Sequence, residues 1–130
     1  MTRQNLAKQP VILTPQLAAV SKTFTDSFYQ ELDSEFGGFA GHVLISSHAF
    51  DKPWGVWEMH PAGDEVVVLL SGDIDFILRT DDGDRTLRVT EPGDYIVVPK
   101  GLWHTARPRA PTTMLFITPG EGTENRDEPG

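Results

Sequence analysis

Residues 58–65 read Glu58-Met59-His60-Pro61-Ala62-Gly63-Asp64-Glu65, and Gly72 follows seven positions later. Residues 93–104 read Gly93-Asp94-Tyr95-Ile96-Val97-Val98-Pro99-Lys100-Gly101-Leu102-Trp103-His104. Each stretch joins a short β-forming run to turn residues, with histidines or carboxylates where run and turn meet. The segment between them repeats that pattern. Glu65–Leu70 is β-forming, Ser71-Gly72-Asp73 turns, and Ile74, Phe76 and Leu78 recur with a period of two. Asp82-Gly83 is a hairpin signal, Arg85–Thr90 returns as a strand, and Glu91-Pro92-Gly93-Asp94 turns before Tyr95–Val98.

Outward from this region the same grammar continues. Phe39–Phe50 is largely apolar, Gly55–His60 is a short strand, and His104–Arg107 and Thr113–Thr118 supply the last strands. Some eight short strands at near-regular spacing predict an all-β sandwich or closed barrel. Val11-Ile12-Leu13-Thr14 reads as a further strand stopped by Pro15. Leu17, Val20, Phe24, Phe28 and Leu32 are spaced by threes and fours, which predicts a helix over Gln16–Leu32 ended by Gly37-Gly38. Residues 119–130 have one threonine as their only β-branched residue and are expected to be a flexible tail. The chain thus divides into an N-terminal strand and helix extension at 1–38, a β-barrel at 39–118 and the tail at 119–130.

The chain of 130 residues has the length of one domain and can bury roughly two thirds of its unfolded surface. It has no cysteine, so any metal must be held by His, Asp or Glu. A net charge of −8 opposes binding to phosphate backbones and excludes a general nucleic-acid role. No apolar run approaches the ~20 residues of a membrane helix. Residues 1–9 show no secretory pattern, so a cytoplasmic protein is expected.

Four side chains form a candidate metal site: Glu58, His60, Glu65 and His104. Glu58 and His60 are two apart on one strand and share a face. Glu65 opens the next strand across a four-residue turn, and an antiparallel hairpin would set it beside His60. Two imidazoles and two carboxylates suit a divalent first-row ion: iron, manganese, nickel, zinc or copper. They would cancel its charge and leave open positions for a ligand. Each residue also fits an ordinary role. A strand histidine is commonly a hydrogen-bonded core residue, Glu58 fits a solvent-facing charge, and Glu65 fits a turn carboxylate. His42 and His48 share a parity on their own strand and are read as pocket or surface residues.

The two quoted stretches resemble the paired motifs of the cupin superfamily, in the right order and with a β-rich spacer. With their strands they cover residues 40–118. The resemblance implies a double-stranded β-helix, or jelly-roll barrel, with the predicted helix preceding it. It implies that His60, Glu65 and His104 are metal ligands. The chain departs from the motifs at Lys52 and Pro108, where the family has glycine and asparagine. It also departs at Glu58, where the family has its first histidine. Glu58 is then a ligand if the substitution preserves the role, or a base that moves off the metal. The resemblance implies a metal-dependent enzyme of dioxygenase, isomerase or lyase type acting on a small organic molecule. A non-catalytic sugar- or ligand-sensing module is the alternative, and a metal-free structural barrel is a third.

With the ligands facing inward, strand parity puts Trp54 and Val56 on the barrel lining and Trp57 and Met59 outside. Phe76 or Ile77, with Met114 or Phe116, completes the expected apolar wall. Trp103 is expected at the mouth or in an interface. A homodimer is expected, with Val11–Leu13 and Val43–Ile45 supplying an edge for pairing.

Overall fold

The computed structural model describes residues 2–129. Two antiparallel sheets face each other across one interior. The strands are β1 (Val11–Leu13), β2 (Ala19–Ser21), β3 (Val43–Phe50), β4 (Trp57–Met59), β5 (Glu65–Ser71), β6 (Ile74–Thr80), β7 (Gly83–Val89), β8 (Tyr95–Val98), β9 (His104–Pro108), β10 (Thr112–Thr118) and β11 (Glu124–Arg126). One sheet has the order β2-β1-β3-β10-β5-β8 and the other β11-β4-β9-β6-β7. The one α-helix among the described residues, α1, spans Phe28–Glu35. Among the described residues no helix is long and apolar enough to cross a membrane.

The periodicity of two explains the core. Val67, Leu69, Ile74, Phe76, Leu78, Ile96, Val98, Met114 and Phe116 alternate with outward neighbours and pack together between the sheets. A smaller cluster of Ile12, Phe28, Leu32, Phe39 and Leu44 ties α1 to β1 and β3. The outer face of the six-stranded sheet is apolar too. Its register aligns Val11, Ile45, Ile117, Val66 and Val97 in one row across five strands. Ser47, Leu115, Val68 and Tyr95 form the next row. Tyr95 and Val97 are prominently exposed, and no charged side chain interrupts either row.

The structure departs from the sequence reading in the N-terminal segment. The helix predicted over Gln16–Leu32 is confined to Phe28–Glu35. Leu17 takes a left-handed φ of +66° in a turn and is 77% exposed, and Ala19–Ser21 folds back as a strand on β1. The run of Ser and Thr from Ser21 to Ser27 competes for backbone hydrogen bonds and delays the helix. That fold-back covers β1, so β1 lies between β2 and β3 and offers no free edge. The stretch expected to be a flexible tail makes contacts with the sheets. Glu124–Arg126 pairs with β4, Arg126 lies over the Trp103 ring at 5.1 Å, and Arg79 bonds Glu128 and the Pro129 carbonyl at 2.6 Å each.

Candidate metal centre

The two motif-bearing strands belong to different sheets. β5 lies in the six-stranded sheet with Glu65 opposite Val98, and β4 lies in the other sheet with Glu58 opposite His104. The expected β4–β5 hairpin is therefore absent, and Glu65 meets His60 across the interior rather than along a ladder. The loops that follow β4 and β8 are tied to each other. The Gly101 N–H donates to the His60 carbonyl at 2.9 Å, and the Lys100 N–H donates to Asp64 at 2.8 Å. Gly101 adopts a φ of +79°, a conformation open to glycine at little cost, and this bend turns the chain so that His104 enters β9 facing inward.

His60, Glu65 and His104 converge, with one ligand atom from each lying within 4.8 Å of the others. All three are buried. His60 Nε2 is 3.2 Å from one Glu65 oxygen, and His104 Nε2 is 3.2 Å from the other. The outer nitrogens are already committed. His104 Nδ1 bonds the Leu102 carbonyl at 3.0 Å, so it carries the proton. His60 Nδ1 bonds Thr123 Oγ1 at 2.8 Å, and that hydroxyl donates to the Gly120 carbonyl at 3.0 Å. The Thr123 oxygen therefore accepts from His60 Nδ1–H. In the neutral imidazoles both Nε2 atoms then present lone pairs to a carboxylate, which also has only lone pairs.

His60 Nε2, His104 Nε2 and Glu65 Oε1 are accordingly buried without a hydrogen bond of acceptable geometry. Three such atoms at one point could hold a cation between them. The spacing fits one. Two donors each ~2.1 Å from an ion, at tetrahedral or octahedral angles, stand ~3.0–3.4 Å apart. Without an ion, protons take up the mismatch. Burial alone would raise the Glu65 pKa, but the two histidines overcome it and hold it at about 2. Burial alone would lower the His104 pKa, but Glu65 overcomes it and raises it. Thr118 Oγ1 donates to Glu65 Oε2 at 2.6 Å and fixes the carboxylate plane.

Glu58 does not join this group. It sits two residues back along β4, about 7 Å by strand rise, on the wall of the adjoining cavity. Burial, and then the charge of Glu65, raise its pKa against the smaller opposing effect of the two histidines. The cavity measures about 680 Å³. Trp54, Val56 and Phe116 are among its lining residues, together with Ser46, His48 and Phe50 of β3 and Tyr29 of α1. Phe76 and Met114 do not line it and are a correction. Both are fully buried, Phe76 stacking flat on the far side of His104 at 5.7 Å. Met114 lies in the closed core between Leu69 and His48. His42 bonds the Ala40 carbonyl away from the cavity.

Sequence reading missed Thr118 and Thr123. Each acts on a residue more than fifty positions away, so no local pattern marks it. Thr123→Val is expected to free the His60 ring and weaken metal binding by about 10-fold or more, the size typical of outer hydrogen-bond partners. A competitive chelator titration measures it, and unchanged affinity would show that packing alone orients His60.

No protein-family model matches the chain, and no curated protein matches it. Solved structures do. A cupin-2 domain protein from Shewanella frigidimarina matches at TM-score 0.51 and 21% identity, over 59% of this chain and 70% of that one. Hydroquinone 1,2-dioxygenase from Sphingomonas sp. TTNP3 matches at 0.51 and 19%, over 58% of each chain. Oxalate decarboxylase from Bacillus subtilis, a protein with Mn(II) centres, matches at 0.52 and 19%, over 64% of this chain and 23% of that one. In both enzymes the matched part is less than two thirds of their length.

Proposed function

Starting from a chain that has the cupin fold, we propose that it is a metal-dependent enzyme acting on a small organic molecule. His60, Glu65 and His104 hold the divalent ion. The observation that carries this reading is the set of three buried, unpartnered ligand atoms at one point. Iron, manganese, nickel, zinc and copper all suit two imidazoles and a carboxylate. Such an ion, when bound, polarises a substrate oxygen as a Lewis acid.

The chain's own residues do the rest. Thr123 and Leu102 keep both histidines in the tautomer that aims Nε2 inward. Thr118 keeps Glu65 from rotating away. Glu58 is the base. Of the three cavity-wall carboxylates outside the ligand trio, Asp33 and Asp51 are exposed and Glu58 is half-buried, and its raised pKa brings it toward the range useful for proton transfer.

The test begins with protein purified without a histidine tag and assayed for bound metal. Adding a fitting ion at ~100 times its dissociation constant is expected to stabilise the fold by about 2.7 kcal/mol. A melting temperature indifferent to every ion tried rejects the reading. Glu58→Gln is expected to abolish turnover found in a screen of small ring compounds, diketones and thiols while sparing metal uptake.

We also propose a homodimer formed face to face through the outer surface of the six-stranded sheet. The two aligned apolar rows support it. In a chain of net charge −8, that uncharged face lets a second copy approach without like-charge contact. Ile117→Arg, in the middle of one row, is expected to give a folded monomer by light scattering. A wild-type chain that is monomeric at about 100 μM, a concentration well above the Kd of a stable dimer, overturns the proposal.

A further inference from the structure

We infer that the cavity takes a small aromatic molecule without negative charge and excludes dicarboxylates. The inference rests on the metal-binding reading of the same site and narrows it to a ligand class.

Ring shape is written in the walls. Phe50 and Trp54 have centroids 5.4 Å apart, Trp54 and Phe116 are 5.9 Å apart, and Phe50 and Phe116 are 6.0 Å apart. The His48 ring extends this surface at 5.7 Å from Phe116. All four rings line the cavity, and those of His48, Phe50 and Trp54 are only partly buried, which leaves faces and edges for offset or edge-on stacking with a further ring. A volume of about 680 Å³ holds one with room for substituents.

Charge is written in the same walls. The acidic lining residues are Asp33, Asp51, Glu58 and Glu65, and Lys52 is the one Lys or Arg among them. No arginine lines the cavity among the described residues, so a carboxylate ligand finds no guanidinium fork there and only the metal ion to bind. His48 adds no cation at neutral pH, because burial lowers its pKa. A divalent ion held by Glu65 and two neutral histidines keeps one positive charge, which the Asp33, Asp51 and Glu58 carboxylates on the cavity walls offset. A dianion would then bring two uncompensated negative charges into an acidic, partly buried chamber. An uncharged ring meets no such cost, and a cationic one gains from the aromatic faces.

The experiment compares matched probes by calorimetry on the full chain loaded with zinc: benzyl alcohol, benzylamine, benzoate and oxalate. Benzyl alcohol and benzylamine are each expected to bind at least about 10-fold more tightly than benzoate, with oxalate not binding below about 10 mM. Benzoate or oxalate binding as well as the alcohol overturns the inference, as does the absence of binding by any ring. Phe116→Ala is expected to weaken the alcohol by about 10-fold. Removing charge in the pair Glu58→Gln and Asp51→Asn is expected to narrow the gap between alcohol and benzoate, and an unchanged gap rejects its electrostatic cause. Zinc content is measured on the same samples, so loss of the metal site is seen separately. Protein that takes up zinc yet prefers benzoate sinks this inference and leaves the metal reading intact.

Discussion

His104→Ala is expected to remove most of the metal-dependent stabilisation. His104 is fully buried, faces Glu65 at 3.2 Å and is oriented by the Leu102 carbonyl, so alanine removes a ligand from a prepared site. Loss of an outer partner alone lowers metal affinity by 10- to 100-fold, so loss of the ligand is expected to cost at least about 100-fold. The consequence for melting is arithmetic. At a metal concentration of ~100 times the wild-type dissociation constant, the wild type gains about 2.7 kcal/mol and the variant about 0.4 kcal/mol. Calorimetry with and without the ion reads the difference. A variant that keeps the full metal-induced shift removes His104 from the ligand set. The metal-free variant is also expected to be less stable, because Phe76 loses the ring stacked on it and Glu65 loses a partner.

Gly72→Ala is expected to be the most damaging single-methyl change in the chain. Gly72 sits where the strand leaves one sheet and enters the other, between β5 and β6, with φ of +111°. A Cβ there would stand 2.5 Å from Thr112 Oγ1 and 2.6 Å from both the Pro111 carbonyl oxygen and Thr112 Cα. Two of those atoms are backbone. The third belongs to a buried hydroxyl that donates to the Ala110 carbonyl at 2.8 Å and accepts from the Asp73 N–H at 3.2 Å. Nothing there can step aside cheaply. Strained φ and overpacking each cost about 1–3 kcal/mol, so a loss of about 3 kcal/mol or more is expected. For a domain of this length that lowers the melting temperature by roughly 10 °C. Gly93→Ala is the control. It has a similar φ of +95° but nothing within 4 Å of its Cβ, and it is expected to lose only the conformational part. Equal losses at the two glycines would show that the clash at Gly72 relaxes.

These two positions also mark how far the sequence could be read. The eight strands from β3 to β10 follow from the period of two and the turn residues between runs, both local properties. His60, Glu65 and His104 stood out because each lies at a junction of run and turn. Gly72 was legible as a turn. That it carries the chain from one sheet to the other, against Thr112, was not.

The N-terminal helix failed for the converse reason. Leu17, Val20 and Phe24 have helical spacing, yet Leu17 turns and Ala19–Ser21 pairs with β1. Spacing of threes and fours is a weak preference, and the ladder offered by β1 outweighs it over this Ser- and Thr-rich stretch.

What the sequence determined by itself was the class of fold and the donors available to a metal: strand periodicity and ligand type are carried by neighbouring residues. What the tertiary structure decided was the company those donors keep. It set Glu65 across the interior from His60, left Glu58 on the cavity wall, and brought Thr123 from 63 residues away to orient an imidazole. Such pairings depend on which strands share a sheet. That choice belongs to the packing of the whole chain, because burying one face of every strand at once leaves few arrangements.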